Sequence, residues 1–213
     1  MIPLKSDKDL EFMRVSGKIL AKILQELRKS IKAGVTTVSI DKVAESLIAR
    51  EKVKAAFKGY RGYPATICAS VNNEIVHGIP GERILKEGDI FSVDIGISYE
   101  GYFSDAAITV AVGGISSRDK KLIEVTRQAL LEGIKHARVN NHLSDISSAI
   151  QNYVERYGFS VVRQFVGHGI GIQLHEDPEV PNFGMAHRGP ILKRGMVLAI
   201  EPMVNTGSWE SKV

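Results

Sequence analysis

Asp94 and Asp105 stand eleven residues apart in the stretch DIGISYEGYFSD, and Glu201 lies in the otherwise apolar run MVLAIEPMV. In IFSVDIGI, strand alternation puts Phe91, Val93, Ile95 and Ile97 on one face and Ser92, Asp94 and Gly96 on the other. A hairpin turning at Tyr99 and Glu100, with Gly101 free to adopt positive φ, sets Asp94 directly opposite Asp105. Their Cβ atoms then lie ~4.5 to 5.5 Å apart, where like charges destabilise the pairing. A cation offsets that repulsion, as do two cations held ~3.5 to 4 Å apart in two-metal hydrolases. A turn placed one residue away instead sends the aspartates to opposite faces. Glu201, read as part of an apolar strand, needs a salt-bridge partner or a metal to offset its desolvation. Asp94, Asp105, Glu201 and one histidine form a hard, oxygen-rich set suited to Mn, Fe, Co or Zn. With Cys68 the only cysteine, a thiolate-built structural zinc site is excluded.

The histidines divide by context. His168 and His175 stand seven residues apart in QFVGHGIGIQLHEDPEVPNFG, among glycines at 167, 169 and 171 that oppose helix. Those glycines let the backbone approach a ligand closely. His77, in NNEIVHGIPG, is expected at the end of a strand-like run before a proline turn, where loops often carry catalytic groups. His136, His142 and His187 read as surface residues.

The elements that must position these side chains follow a repeated order. Leu10, Met13, Ile19, Leu20, Ile23, Leu24 and Leu27 predict a long amphipathic helix capped by Ser6. A second helix follows the turn at Gly34, carrying Ile40, Val43, Leu47 and Ile48. ATICASV, DIFSVDIGI and YFSDAAITVAV then read as strands. The second half repeats the order: helices over SSRDKKLIEVTRQALLEGIKHA and LSDISSAIQNYVERYG, the latter capped by Ser144 and ended by Gly158, then strands SVVRQFVG and MVLAIEPMV. Two helices and then strands, twice over, predict an α+β fold with an internal duplication and helices packed on one face of a mostly antiparallel sheet.

The chain has 213 residues, 44% hydrophobic and 24% charged, as in an ordinary soluble globular protein. No linker or low-complexity segment marks a domain boundary, so a single domain over residues 1–213 is expected. No apolar run approaches the ~20 residues that span a bilayer, and MIPLKSDKDLEFM lacks the apolar core of a signal peptide. A lone cysteine fits a reducing compartment, so the expected location is the cytoplasm. The net charge of +4 favours anionic partners weakly, yet no basic run or nucleic-acid motif stands behind it.

FKGYRGYPATICASVNNEIVHGIPG, GDIFSVDIGISYEGYFSDAA, FVGHGIGIQLHEDPEVPNFG and GMVLAIEPM resemble, in order and spacing, the type I methionine aminopeptidases. The resemblance covers essentially the whole chain. It implies a pita-bread α+β fold with pseudo-two-fold symmetry and a curved, mostly antiparallel sheet. The implied activity is metal-dependent removal of the initiator methionine when the second residue is small. The implied cofactors are two divalent ions drawn from Co, Mn, Fe, Zn and Ni. Asp94 would chelate one ion, Asp105 would bridge both, and His168 and Glu201 would bind the other. Glu201 would also take a proton from the metal-bound water. His77 would contact the scissile amide region, and His175 the substrate carbonyl or developing oxyanion. Phe57, Tyr60, Tyr63 and Cys68 would line the methionine pocket, while Leu174 stands where the family often has an aromatic. The implied partners are nascent-chain N-termini and peptides met by a monomer, with transient contact to the ribosome and none to membrane.

The family also carries a further bridging glutamate, about thirty residues beyond Glu201 on a strand near the C-terminus, and a tryptophan in that tail, both beyond the position of Val213. The expectation is therefore a catalytic domain incomplete at its C-terminus, lacking the last strands, with weak metal binding and little activity. Two other readings stand beside this one. One is an Xaa-Pro aminopeptidase or prolidase, whose members usually have a large N-terminal domain before the catalytic pattern. The other is a non-catalytic pita-bread protein that binds a partner through its basic surface.

Overall fold

Leu20, Ile23, Leu24 and Leu27 repeat at helical spacing and are buried along one face of α1, Asp7–Ser30. Its first turn carries Asp7 and Asp9 and its last turn Arg28 and Lys29, charges that complement the helix dipole. Thr36 caps α2, Thr37–Arg50, by accepting the Ser39 N–H at 3.2 Å. The computed structural model to which these elements belong describes residues 1–212. It divides into two compact units, one of Asp7–Ser116 with Gly171–Leu174, the other of Met1–Ser6, Ser117–Ile170 and the chain from His175 onward.

In the first unit, β1 (Lys54–Ala55), β2 (Ile67–Val71), β3 (Ile90–Tyr99) and β4 (Tyr102–Ala111) form an antiparallel sheet with β3 paired to the other three. Phe91, Val93, Ile95 and Ile97 of β3 are fully buried and share a core with the apolar faces of α1 and α2. The alternation seen in the sequence is therefore real. The turn is not where it was expected. Tyr99 pairs with Tyr102, so the turn residues are Glu100 and Gly101, at φ +50° and +83°. A two-residue hairpin of this type needs positive φ at both central positions, which glycine accepts and an aromatic strand residue resists. Asp105 consequently faces Gly96, and Asp94 faces Ala107. The shift moves each partner by two residues, which keeps both aspartates on one face. They are diagonal neighbours, at Cα separations of about 7 to 8 Å, rather than directly opposed.

In the second unit, α3 (Ser117–His136) packs closely on α4 (Leu143–Arg156) at Gly133, where a Cβ would lie 2.8 Å from Ile150 Cγ1. Ser144 is not the cap of α4. His142 holds that position, with its backbone N–H donating to Asp145 Oδ2 at 2.8 Å, while the Ser144 hydroxyl donates to the Arg188 carbonyl. Gly158 ends the helix as expected, at φ +77°. β5 (Ser160–Val161) pairs with β9 (Val204–Asn205), and β6 (Gly167–Gly169) lies between β7 (Glu176–Val180) and β8 (Leu198–Ala199), all antiparallel. The runs expected as single strands are thus each divided. Glu201 falls in the break between β8 and β9, beside Pro202, which has no N–H to give to a ladder. The order of two helices followed by strands recurs in both units. Among the described residues no helix is long and apolar enough to cross a membrane.

Candidate metal centre

Two of the candidate ligands belong to the first unit. Asp94, Gly96, Asp105 and Ala107 share the face of the β3–β4 pair, and Cys68 of β2 stands opposite Asp94. A Cβ at Gly96 would lie 2.7 Å from Phe57 Cε1 and 3.0 Å from Ala56 Cβ, so glycine makes room for the Phe57 ring on the carboxylate face. Phe57 and Cys68 are both buried. Burial pushes the Cys68 thiol up to about 12; the Tyr63 hydrogen bond opposes that rise, and the Asp94 and Asp105 charges add to it. A neutral thiol of this kind behaves as a small apolar side chain. The single Tyr63 hydroxyl proton is shared between the carbonyls of Ile67 and Gly78, each at 3.0 Å, and burial raises its phenol well above the ordinary range. Tyr60 lies in a short 3-10 turn between β1 and β2, with the Arg61 guanidinium 5.4 Å from its ring centre. Leu174 is buried.

His77 does not end a strand. It sits in an exposed loop that folds back along β2, and its backbone is held at φ +61°, a strained value for a residue with a side chain. The fold-back is fixed by the Ala69 N–H donating to the Gly78 carbonyl at 2.7 Å and the Gly78 N–H to Ser70 Oγ at 3.2 Å. A Cβ at Gly78 would collide with the Ala69 carbonyl, so only glycine fits there. The His77 backbone N–H is turned to the Cys68 sulfur.

Sequence reasoning passed over Asp41 of α2, whose Oδ1 accepts the Thr66 and Ile67 N–H groups at 2.8 and 2.9 Å. This carboxylate anchors the start of β2 and hence Cys68. It also passed over the buried ion pair of Lys5 with Glu176, next to His175 in the second unit. Both link residues far apart in the chain, and no local pattern announces either.

The remaining candidate ligands belong to the second unit. His168 occupies the middle of β6, where Cβ atoms on Gly167 and Gly169 would collide with the carbonyls of Ala199 and Asp177. The glycines therefore serve the close approach of neighbouring backbone, rather than of a ligand as the sequence suggested. His168 is buried, and its Nδ1 lies 2.8 Å from the Gly169 carbonyl, which places the ring proton on Nδ1. Nε2 then presents a lone pair, 3.2 Å from Glu201 Oε1. That oxygen is buried and makes no hydrogen bond. At this distance the two atoms are held together either by a proton on Nε2 or by a metal cation between their lone pairs. Ligand bonds of about 2.0 to 2.2 Å to each would subtend an angle of roughly 100° at a shared ion, which ordinary coordination geometry accommodates. The pair thus fits a divalent metal. His175 is exposed, with its ring centre 4.2 Å from that of His168.

The structure thus places His168, His175 and Glu201 together in one unit. In the other it places Asp94 and Asp105 on one strand face, with Phe57, Cys68, Tyr63 and the His77 backbone around them. Tyr60 joins that group through its backbone, its N–H donating to the Phe57 carbonyl and its carbonyl accepting the Tyr63 N–H, each at 2.9 Å.

Comparison with known proteins follows the same lines. The model of Metallopeptidase family M24 matches residues 11–212. The methionine aminopeptidase of Clostridium perfringens is 52% identical over 212 residues, which is 100% of this chain and 85% of that protein. Methionine aminopeptidase 1 of Bacillus subtilis is 53% identical over 208 residues, 98% of this chain and 84% of that one. Among solved structures, the methionine aminopeptidase of Thermotoga maritima superposes with a TM-score of 0.96 at 45% identity, covering 99% of this chain and 85% of that one. The prolidase of Pyrococcus horikoshii superposes at 0.80 with 23% identity, covering 93% and 55%, a likeness of fold alone.

Proposed function

The chain belongs to Metallopeptidase family M24 and is a metal-dependent peptidase, and we propose that its reaction is removal of the N-terminal methionine from nascent proteins and peptides whose second residue is small. The observation that supports the metal-dependent part is the His168–Glu201 pair, a buried carboxylate oxygen facing the imidazole Nε2 at 3.2 Å. Asp94, Asp105, His168 and Glu201 are the proposed ligands of two divalent ions from the group Mn, Fe, Co, Ni and Zn. Bound there, a divalent metal would lower the pKa of a water toward neutrality and polarise the peptide carbonyl.

The chain's own groups supply the rest. The Glu201 carboxylate accepts the proton released by the attacking water. His175 donates from its imidazole to the substrate carbonyl oxygen, where negative charge grows in the transition state and where such a bond is most effective. His77 holds the scissile amide in line. Phe57, Tyr60, Tyr63 and the neutral Cys68 form the wall for the methionine side chain, excluding larger or branched residues by shape. A missing methylene in such a pocket costs only about 1 to 3 kcal/mol, so shape filters oversized residues more sharply than undersized ones. The setting proposed for this reaction is the cytoplasm, with a monomer meeting nascent chains and touching the ribosome transiently.

The test is the ranking of rates for the purified chain with saturating manganese on Met-Ala-Ser, Leu-Ala-Ser and Ala-Pro-Ser. Methionine release is expected to lead. Preferred cleavage before proline, or equal rates for methionine and leucine, would overturn the proposal.

A further inference from the structure

Asn182 follows β7 and is fully buried, at 0% exposure. Its Nδ2 donates to the backbone carbonyl of Glu201 at 2.7 Å. Exchanging the amide oxygen and nitrogen would press two oxygens together at that distance, so the Glu201 carbonyl fixes the orientation. The other end of the amide is costly: Oδ1 is buried with no hydrogen-bond partner. An unsatisfied buried polar atom costs about 1 to 3 kcal/mol, and a residue serving stability alone would be better replaced by an apolar one of the same shape. The amide is kept at this position, and the bond its Nδ2 makes goes to the Glu201 carbonyl.

What it serves is visible in the backbone it touches. Glu201 lies in the break between β8 and β9, and Pro202 beside it supplies no N–H. A side-chain amide thus takes the place of a neighbouring strand at a residue whose carboxylate faces His168. We propose that Asn182 is a positioning residue for Glu201. It fixes the Glu201 peptide and so the direction in which the side chain leaves it, keeping Oε1 at 3.2 Å from His168 Nε2. Asn182 touches neither substrate nor ion; it acts through Glu201, and the inference rests on the proposed role of Glu201 as a metal ligand.

The experiment titrates manganese alone into the purified chain by calorimetry, with thermal unfolding in chelator as the control for folding. Asn182→Leu keeps the branched outline and loses the N–H, whereas Asn182→His keeps a ring N–H at a similar reach. Loss of a group that orients a metal ligand typically weakens metal binding about 10- to 100-fold, the effect expected for the leucine variant. The histidine variant is expected to recover most of that loss while unfolding at a similar temperature. Packing damage common to both cancels in their ratio. Where the leucine variant does not fold, Asn182→Gln, which displaces the amide by one methylene, is read against histidine in the same way. Manganese affinity equal in the leucine and histidine variants overturns the positioning role. If Glu201→Gln weakens manganese binding and Asn182→Leu does not, the inference about Asn182 fails alone. If Glu201→Gln leaves the affinity unchanged, the ligand role of Glu201 fails and the inference falls with it.

Discussion

Gly96 is the residue at which the proposed substrate wall and the carboxylate face share one constraint. The Phe57 ring occupies the space that a β-carbon would fill, with Cε1 only 2.7 Å from the position such an atom would take. Gly96→Ala forces the ring to shift within a buried site, and overpacking of this kind typically costs about 1 to 3 kcal/mol. Urea unfolding is expected to record that loss. Because Phe57 is proposed to touch the methionine side chain and not the reacting bond, KM for methionine peptides is expected to rise more than kcat falls. Unchanged stability together with unchanged KM would place the ring away from the substrate. The identities of the candidate residues were readable in the sequence, since Asp94, Asp105 and Glu201 are carboxylates in strand-like surroundings and His168 is framed by glycines. The glycines' purpose was not readable, because it depends on the carbonyls of Ala199 and Asp177, which strand pairing with β8 and β7 brings against them.

At the scale of elements, periodicity located the helices and the strands of the first unit because each buries one regular face. Short strands were misjudged where a single bond decides the outcome. The hairpin register follows from positive φ at Glu100 and Gly101, and the position of Glu201 outside a strand follows from Pro202. The start of α4 is a similar case. Asp145 accepts backbone N–H groups from both His142 and His187, at 2.8 Å each, so one carboxylate caps the helix and pins a loop far along the chain. The His187 N–H, offset in part by desolvation and joined by the His142 N–H, holds the Asp145 carboxyl below its ordinary value of 3.8. A carboxyl lowered in the folded state binds its proton more readily when unfolded. Its stabilisation is therefore complete well above pH 3.8 and is lost as the pH falls from there toward the lower folded value. Asp145→Ala is expected to cost about 1 to 2 kcal/mol at neutral pH through the lost cap. The gap between variant and parent in unfolding midpoint should narrow as the pH falls below 3.8. A gap that stays constant with pH would mean that the carboxylate charge plays no part.

For the whole molecule, metal and stability are joined by mass action. The proposed ligands Asp94 and Asp105 belong to one unit and His168 and Glu201 to the other, and an ion that binds the folded chain but not the unfolded one stabilises the fold whichever of them hold it. At a free concentration one hundred times Kd, binding then stabilises the chain by about 2.7 kcal/mol. For a chain of this length each kcal/mol moves the midpoint by about 2 to 4 °C, so saturating manganese should raise it by roughly 5 to 10 °C over the value in chelator. Without an ion, Glu201 Oε1 faces the His168 imidazole and Asp94 stands diagonal to Asp105 on one strand face, so neutralising Glu201 or Asp105 should relieve the apo chain while weakening the bound one. Glu201→Gln is accordingly expected to unfold in chelator at or above the parent's midpoint and to gain little from manganese. Asp105→Asn should do the same, because each substitution removes a negative charge from a proposed ligand without changing its size. Scanning calorimetry of the three proteins with and without manganese decides the matter. A manganese-dependent rise of equal size in all three would show that the ion binds elsewhere, and the ligand set would have to be abandoned.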